Sequence, residues 1–156
     1  MITQKTKYAL KALAALADAR DGAAEALSIE DIAARSGTPK RFLEHILLDL
    51  KRAGMIGSRR GRNGGYVMIK DPRTVSLAEI LRRVDGPLAP LPCLSRRAYQ
   101  PCEDCPDEEA CRIRAVFGEF YSTYILMIES LTLADIQRSP LALDQLPLRP
   151  AAPAGE

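Results

Sequence analysis

Residues 28–69 decide the fold, and their sequence is SIEDIAARSGTPKRFLEHILLDLKRAGMIGSRRGRNGGYVMI. Ser28 is followed three residues later by Asp31, which is the spacing of a capping box at the start of a helix. This helix is expected to run to about Arg35, because Ser36-Gly37 is typical of a turn. The pattern predicts a short helix that ends in a sharp change of chain direction.

A second helix is predicted over residues 39–53. Thr38 is expected to be its N-cap with Pro39 at the first helical position, and Gly54 is expected to end it. Apolar residues at helical spacing predict a buried stripe of Leu43, Ile46, Leu47 and Leu50. The opposite face is polar and carries Lys40, Arg41, Glu44, His45, Lys51 and Arg52.

A β-hairpin is predicted over residues 55–69, because two short β-prone runs flank a tip rich in glycine and arginine. Helix, turn, helix and hairpin follow each other in this order in a winged helix-turn-helix. In that fold the second helix reaches base edges with its N-terminal turn, and a hairpin can lie against the DNA backbone or in the minor groove. We therefore expect DNA contacts from Thr38, Lys40, Arg41, Glu44 and His45 of the helix, and from Arg59, Arg60, Arg62, Asn63 and Gly64 of the wing.

The distribution of charge agrees with a nucleic-acid partner. Residues 1–73 contain 14 Lys and Arg against 8 Asp and Glu, whereas residues 74–156 contain 8 against 12. A basic half joined to an acidic half suggests a polyanion-binding module beside a module with another task. A solvated basic face is the alternative, and His45 alone fits a solvated side chain as well as a DNA contact.

The flanking sequence completes a mainly α DNA-binding domain over residues 1–85. Leucines and alanines at helical spacing predict a first helix over residues 3–19. Ser76 and Glu79 fit a second capping box, which opens a fourth helix that runs to about Asp85.

All four cysteines lie in residues 86–111, a segment that begins as a proline-rich linker and continues as a candidate sensor loop. They are Cys93, Cys102, Cys105 and Cys111. Cys102 and Cys105 form a C-x-x-C pair, the usual two-ligand spacing for zinc or an iron–sulfur cluster. Residues 102–111 contain five acidic and no basic residues, which disfavours an activated thiolate and favours metal ligation. The alternatives are a zinc staple without a sensing role, in a regulator or in an interaction module, and a thiol–disulfide switch. A thiol oxidoreductase would need a βαβ context that the pattern lacks.

A long helix is predicted over residues 107–134. Its apolar residues alternate at spacings of four and three and form a seam of Ile113, Phe117, Phe120, Tyr124, Met127 and Leu131. A small domain cannot cover such a seam alone, so we expect a homodimer, whose two-fold symmetry matches a pseudo-palindromic operator in double-stranded DNA. Packing against the other helices of the same chain is the alternative. Residues 139–156 contain four prolines and are predicted to form a disordered tail.

Composition excludes several classes of protein. The chain has 156 residues, 47% of them hydrophobic and 27% charged, with a net charge of +2, which is typical of one folded domain with an appendage. No apolar run is long enough to span a membrane, and no signal-peptide pattern precedes the first helix, so a cytoplasmic location is expected. The sequence contains no nucleophile–histidine pairing and no phosphate loop, so we do not expect an enzyme.

These motifs, taken in order, resemble the Rrf2 family of winged helix-turn-helix transcriptional regulators, of the IscR, NsrR and CymR type. The resemblance covers residues 1–134 and rests on KYALKAL (7–13), SIEDIA (28–33), RFLEHILLDLKRAG (41–54), SRRGRNGGY (58–66) and SLAEI (76–80). It implies a dimeric DNA-binding regulator, usually a repressor, with a cysteine loop before the dimerisation helix.

The resemblance also implies a [2Fe–2S] or [4Fe–4S] cluster, because many members hold one in that loop. Cluster-binding members use three cysteines at tighter spacing plus a histidine or a carboxylate. This chain has four cysteines with no histidine near them, and Lys7 stands where the nitric-oxide sensor type has an aspartate ligand. The fourth cysteine can take the place of the missing ligand, or the site can hold zinc or no metal.

Overall fold

The computed structural model describes residues 2–22, 26–61, 64–105 and 107–138. In chain order the helices and strands are α1 (Gln4–Asp21), α2 (Ile29–Ser36), α3 (Lys40–Arg52), β1 (Ile56–Arg59), β2 (Gly65–Met68), α4 (Leu77–Val84), α5 (Arg112–Ser130) and α6 (Leu133–Arg138). The 3₁₀ turn Pro72–Thr74 precedes α4, and a second 3₁₀ turn, Pro92–Leu94, lies at the end of the proline-rich linker. The mainly α fold with a small β-hairpin is confirmed. Within the described ranges, no helix combines the length and the apolar character needed to cross a bilayer.

α1 is the helix around which the others assemble, since it contacts α2, α3, α4 and α6. Thr3 caps its N-terminus, where the side chain accepts a hydrogen bond from the Thr6 backbone N–H. The fully buried positions of α1 include Ala9, Ala12 and Ala17, whose small side chains let neighbouring helices approach closely. The predicted first helix is confirmed, and it extends two residues further, to Asp21.

α2 and the turn after it form as the sequence indicates. The Ser28 hydroxyl accepts from the Asp31 N–H at 3.1 Å, and the Asp31 carboxylate accepts from the Ser28 N–H at 3.2 Å. Gly37 follows α2 in the left-handed conformation with φ of 59°, where glycine avoids the steric cost of a Cβ. The capping box and the turn are both confirmed.

α3 begins one residue later than predicted. Thr38 is not its N-cap, because the Thr38 N–H bonds to the Ala33 carbonyl at 3.3 Å and so completes the end of α2. Pro39 takes the N-cap position and makes no side-chain cap. The buried stripe is confirmed: the exposed fractions of Leu43, Ile46, Leu47 and Leu50 are 0%, 3%, 0% and 1%.

The hairpin pairs β1 with β2 in an antiparallel register that runs from Ile56–Met68 to Arg59–Gly65. It is attached to the segment before α2, where Leu27 and Tyr66 exchange backbone hydrogen bonds of 2.9 and 2.8 Å. A Cβ on Gly65 would lie 2.3 Å from the Leu27 carbonyl oxygen, so this close approach requires glycine.

α4 begins at a serine cap, although the predicted capping box is only half formed. The Ser76 hydroxyl accepts from the Glu79 N–H at 3.1 Å. The Glu79 carboxylate does not return to Ser76, because it forms an ion pair of 2.6 Å with Lys70 instead.

The predicted helix over residues 107–134 is wrong at both ends. α5 begins only at Arg112, because the Asp107 carboxylate accepts from the Glu109 N–H and holds the preceding residues in a turn. It ends at Ser130, because the next residues leave the helix to pair with the start of α4. The Leu77 N–H donates to the Leu131 carbonyl at 2.8 Å, as part of an antiparallel bridge between Ser76 and Thr132.

α6 then returns the chain to the core of the winged helix. Leu133 is completely buried among the residues of α1 to α4, and Ile136 packs against the same cluster. The Gln137 side chain donates to the Asp18 carboxylate of α1 at 2.9 Å. The predicted tail, residues 139–156, lies outside the described residues.

Candidate nucleic-acid interface and cysteine segment

The outer face of α3 presents most of the predicted DNA-contacting residues. Lys40, Arg41, Glu44 and His45 are all exposed. Lys40 forms an ion pair with Glu30 of α2, and this pair raises the pKa of Lys40, with the hydrogen bond as the larger cause. Thr38 is only 2% exposed, so its side chain does not lie on this surface.

Arg41 is supported by an aromatic pair that the sequence pattern does not indicate. Its guanidinium carbon lies 4.8 Å from the centroid of the Phe42 ring, within the range of a cation–π interaction. The ring of Tyr8, on α1, lies 5.5 Å from that of Phe42. Tyr8 and Phe42 are far apart in the sequence, so this contact can be recognised only when the packing of α1 against α3 is known. The pair restrains Arg41 at the start of α3.

The wing places further positive charge beside α3. Arg59 and Arg60 are exposed, whereas Arg62 and Asn63, also predicted to contact DNA, lie outside the described residues. Gly64 is half-buried, and its N–H donates to the Gly61 carbonyl at 2.9 Å.

α3 and the wing are tied to each other by a direct contact. The Lys51 ammonium at the end of α3 donates to the Ser58 hydroxyl of β1 at 2.7 Å. This hydrogen bond fixes one end of the helix against the hairpin. We call the exposed cationic residues of the two elements the basic surface: Lys40, Arg41, Lys51, Arg52, Arg59 and Arg60.

The four cysteines are free thiols in different environments. Cys93 is buried in the 3₁₀ turn Pro92–Leu94, Cys102 is exposed, and Cys105 and Cys111 are half-buried. Cys111 is also the N-cap of α5, where its Sγ accepts a hydrogen bond from the Arg114 N–H at 3.4 Å. The loop between them is held by a hydrogen bond from the Tyr99 hydroxyl to Glu108.

The electrostatic surroundings keep two of these thiols protonated. Desolvation of the sulfur raises the pKa of Cys102, and the neighbouring Cys93 raises it further. Desolvation also raises the pKa of Cys105, and Cys111 and Glu108 add to the effect, although a hydrogen bond to Asp107 opposes it. Neither thiol is therefore an activated nucleophile at neutral pH.

The cysteines do not converge on one point. Cys102 neighbours both Cys93 and Cys105, and Cys105 also neighbours Cys111. Within residues 2–22, 26–61, 64–105 and 107–138, no three His, Cys, Asp or Glu side chains lie close enough together to hold a metal ion. The thiolate donor type suits an iron–sulfur cluster or zinc, but the positions of the four side chains do not yet form a site for either.

α5 exposes an apolar strip along one side. The exposed fractions of Ile113, Phe117, Phe120 and Met127 lie between 42% and 63%, and Leu131, just past the helix, is 42% exposed. Tyr124 differs from the rest of the predicted seam, because it is half-buried and packs against Ala78 and Leu81 of α4. Val116, which is 67% exposed, belongs to the same side and was not predicted. We call Ile113, Val116, Phe117, Phe120 and Met127 the apolar strip.

A family model described as "Rrf2: Iron-dependent Transcriptional regulator" matches residues 2–139 of this chain. The chain belongs to the Rrf2 family. The predicted resemblance is thereby confirmed, and with it the expectation of a DNA-binding transcriptional regulator that is not an enzyme.

Individual relatives agree with this assignment. An rrf2-like helix-turn-helix transcriptional regulator of Rhodobacter capsulatus is 66% identical over 137 residues, which cover 87% of this chain and 91% of the relative. The transcriptional regulator NsrR of Geobacillus kaustophilus is 28% identical over 145 residues, covering 93% and 95% of the two chains. Among solved structures, CymR, the global cysteine regulator of B. subtilis, superposes with a TM-score of 0.71 at 26% identity, covering 88% of this chain and 95% of CymR.

Proposed function

We propose that this Rrf2 protein is a homodimeric repressor that binds a pseudo-palindromic operator in double-stranded DNA. We further propose that its affinity for DNA responds to redox or iron–sulfur status through the segment of Cys93, Cys102, Cys105 and Cys111. The observation that carries the DNA-binding part is the basic surface, in which the Lys51–Ser58 hydrogen bond joins the outer face of α3 to the wing. Such a repressor acts in the cytoplasm, where a bacterial operator is accessible.

In this proposal α3 enters the major groove and the wing follows the backbone beside it. The first two turns of α3 carry Lys40, Arg41, Glu44 and His45, and residues in the N-terminal part of a recognition helix contact base edges. Arg59 and Arg60 of the wing neutralise phosphates, which adds salt-dependent affinity without sequence preference. Arg62 and Asn63, which lie outside the described residues, are expected from the sequence to join them.

The apolar strip of α5 is proposed as the dimer interface. Phe120, at 63% exposure, lies near the middle of the strip, where a second copy of α5 would bury it. Within the described residues, packing of α5 against α4 leaves Ile113, Phe117, Phe120 and Met127 of the predicted seam exposed. Tyr124 contributes through its ring, which stacks on that of Phe120 with 6.2 Å between centroids.

The cysteine segment is connected to both of these surfaces. Cys111 caps α5, so any reaction or ligation of its sulfur changes the first turn of the proposed dimer helix. At the other end, the Leu77–Leu131 hydrogen bond joins α5 to α4 and thereby to the winged helix. A change at Cys111 can thus alter the relative position of two recognition helices in a dimer, which shifts the population that fits the operator.

The proposal includes iron–sulfur binding because the four cysteine thiols are suitable ligands for a cluster. Four thiols provide enough ligands for a cluster, but their sulfurs are not gathered in the described structure, so we derive no mechanistic step through a cluster. A zinc staple needs the same gathering of sulfurs. A thiol–disulfide switch needs only one pair, and Cys93 with Cys102 or Cys105 with Cys111 supplies one.

The decisive experiment combines DNA binding with metal analysis of anaerobically purified protein. Wild-type protein should bind selected duplexes with a steep salt dependence, and the variant with all four cysteines changed to serine should lose the response to oxidation or to iron. Visible absorption with iron and acid-labile sulfide would support a cluster, and one zinc per colourless chain would support a staple. Metal-free protein whose affinity changes on oxidation would support the thiol switch. If the serine variant responds as the wild type does, the sensor is not this segment.

A further inference from the structure

Leu48 occupies an unusual place on the outer face of α3. Arg41, His45, Leu48 and Arg52 follow each other at spacings of four, three and four, and therefore lie on one line along the helix. All four side chains are exposed, and Leu48 is 43% exposed. The buried stripe lies on the opposite side, and Leu48 does not belong to the core cluster that this stripe forms. An exposed leucine is common on protein surfaces, but this one stands in the middle of a line of potential cations.

The chemistry of the major groove offers one partner for such a side chain. Leucine has no donor or acceptor and gains nothing from a phosphate or from the polar edge of a base. The C5-methyl group of thymine is the apolar group that the major groove presents, and apolar side chains contact it.

We propose that Leu48 contacts the C5-methyl group of a pyrimidine in each half-site and makes this regulator prefer thymine at that position. This inference rests on the proposed function, because it requires α3 to lie in the major groove. A 5-methylcytosine presents the same methyl group and is expected to replace thymine in this contact.

The helix geometry also indicates where this base lies. Leu48 is seven residues beyond Arg41, which corresponds to about 10 Å along the helix axis. A base pair occupies about 3.4 Å of the duplex axis. A helix that runs along the groove therefore places the Leu48 contact about three base pairs from the contact of Arg41.

The test compares thymine with deoxyuracil, which differ only by the methyl group. The full-length protein first selects duplexes from a random library, and each thymine of the selected site is then replaced by deoxyuracil in turn. For the wild type, one replacement per half-site should weaken binding about fourfold, since burial of one methyl group contributes roughly that factor. The Leu48→Ala variant should bind both duplexes equally well, and Leu48→Met should retain part of the preference.

Leu126→Ala is the matched control, because Leu126 is an exposed leucine, 69% accessible, on the side of α5 away from the apolar strip. It should discriminate thymine from deoxyuracil as the wild type does. The proposal is overturned if Leu48→Ala keeps the full discrimination, or if no replacement affects the wild type. If the wild type selects no sequence from the library, the proposed function fails together with this inference. Failure of the Leu48 contact alone is recognised because the wild type then still selects a sequence.

Discussion

Arg82 of α4 and Glu129 of α5 form an ion pair in which Nη2 and Oε1 are 2.5 Å apart. The Arg82 side chain is only 25% exposed, so water screens this pair less than it would an ion pair on open surface. Together with the backbone bridge between Ser76 and Thr132, the pair fixes the last turns of α5 against the DNA-binding unit. In the proposed function, this junction is the path by which the cysteine segment and α5 act on the recognition helix.

Arg82→Ala should weaken that path while leaving the fold intact. A partly exposed ion pair contributes about 0–1 kcal/mol, so the free energy of unfolding should fall by no more than that. The ratio of DNA affinities between reduced and oxidised protein should move towards one, as measured by fluorescence anisotropy. Arg73→Ala, which removes the exposed Arg73–Asp71 pair in the 3₁₀ turn before α4, should leave the ratio unchanged. An unchanged ratio for Arg82→Ala would show that this ion pair carries no coupling.

Phe120→Glu should prevent dimerisation. A carboxylate in an apolar interface must be desolvated without a partner, and this cost exceeds the 1.4 kcal/mol that corresponds to a tenfold change in affinity. The dimer dissociation constant measured by analytical ultracentrifugation should therefore rise by more than about tenfold. Ser122→Glu places the same charge on the opposite, exposed side of α5 and should leave the dimer intact. Equal effects of the two variants would contradict the proposed interface.

Arg59→Ala should weaken binding to all DNA sequences to a similar extent. A phosphate contact contributes about one unit to the slope of log affinity against log salt concentration, so this slope should decrease by about one. Filter binding across a salt series measures it. Arg73→Ala again serves as the control, because it removes an equal charge outside the basic surface. If the wing does not contact DNA, the slope of log affinity against log salt concentration should be the same for both variants.

Stability should decrease in acid partly through Asp85. Partial burial raises the pKa of this carboxyl, but hydrogen bonds from Thr3, with further contributions from Thr6 and the charge of Lys5, together outweigh burial and hold the folded pKa below its usual value of 3.8. The contribution is therefore present above about pH 4 and is lost as the pH falls through the folded pKa. Urea titrations should show a steeper loss of stability below pH 4 for the wild type than for Asp85→Asn. Asp104→Asn, which changes an exposed carboxylate of the cysteine segment, should follow the wild-type curve. If Asp85→Asn also follows the wild-type curve, the Asp85 carboxylate does not stabilise the fold.

Gly65→Ala should detach the wing from the segment before α2. The added Cβ would lie 2.3 Å from the Leu27 carbonyl oxygen, so the backbone hydrogen bonds between Leu27 and Tyr66 must lengthen. Overpacking of this kind costs about 1–3 kcal/mol of unfolding free energy. Gly22→Ala, with φ of −81° and a nearest neighbour at 3.4 Å, should have little effect on stability. Thermal unfolding followed by circular dichroism distinguishes the two, and equal melting temperatures would mean that the hairpin can move away.

Features encoded within a few residues were predictable from the sequence. The Ser28 cap and the Gly37 turn depend on neighbouring atoms, so local patterns identified them. The buried stripe of α3 followed from helical spacing for the same reason. These elements defined the winged helix and most of its outward-facing cations.

The errors came from contacts between residues that are distant in the sequence. The end of α5 depends on the bridge between Ser76 and Thr132, and no local signal at Thr132 reveals a partner in α4. The tilted contact between the rings of Tyr8 and Phe42 beside Arg41 depends on how α1 crosses α3, which the spacing of residues does not specify. The arrangement of the cysteines follows a loop whose path is determined by the Tyr99–Glu108 contact rather than by the C-x-x-C spacing.

The position of α6 has a consequence for the synthesis of this protein. Leu133 completes the core built by α1 to α4, although residues 85–132 separate it from the end of α4. A nascent chain on the ribosome therefore carries an open apolar site beside α1 until α6 has emerged. By then α5 has already been translated. Each chain that finishes its winged helix consequently already possesses the helix with which it can pair, and a fragment cut within the cysteine segment lacks both.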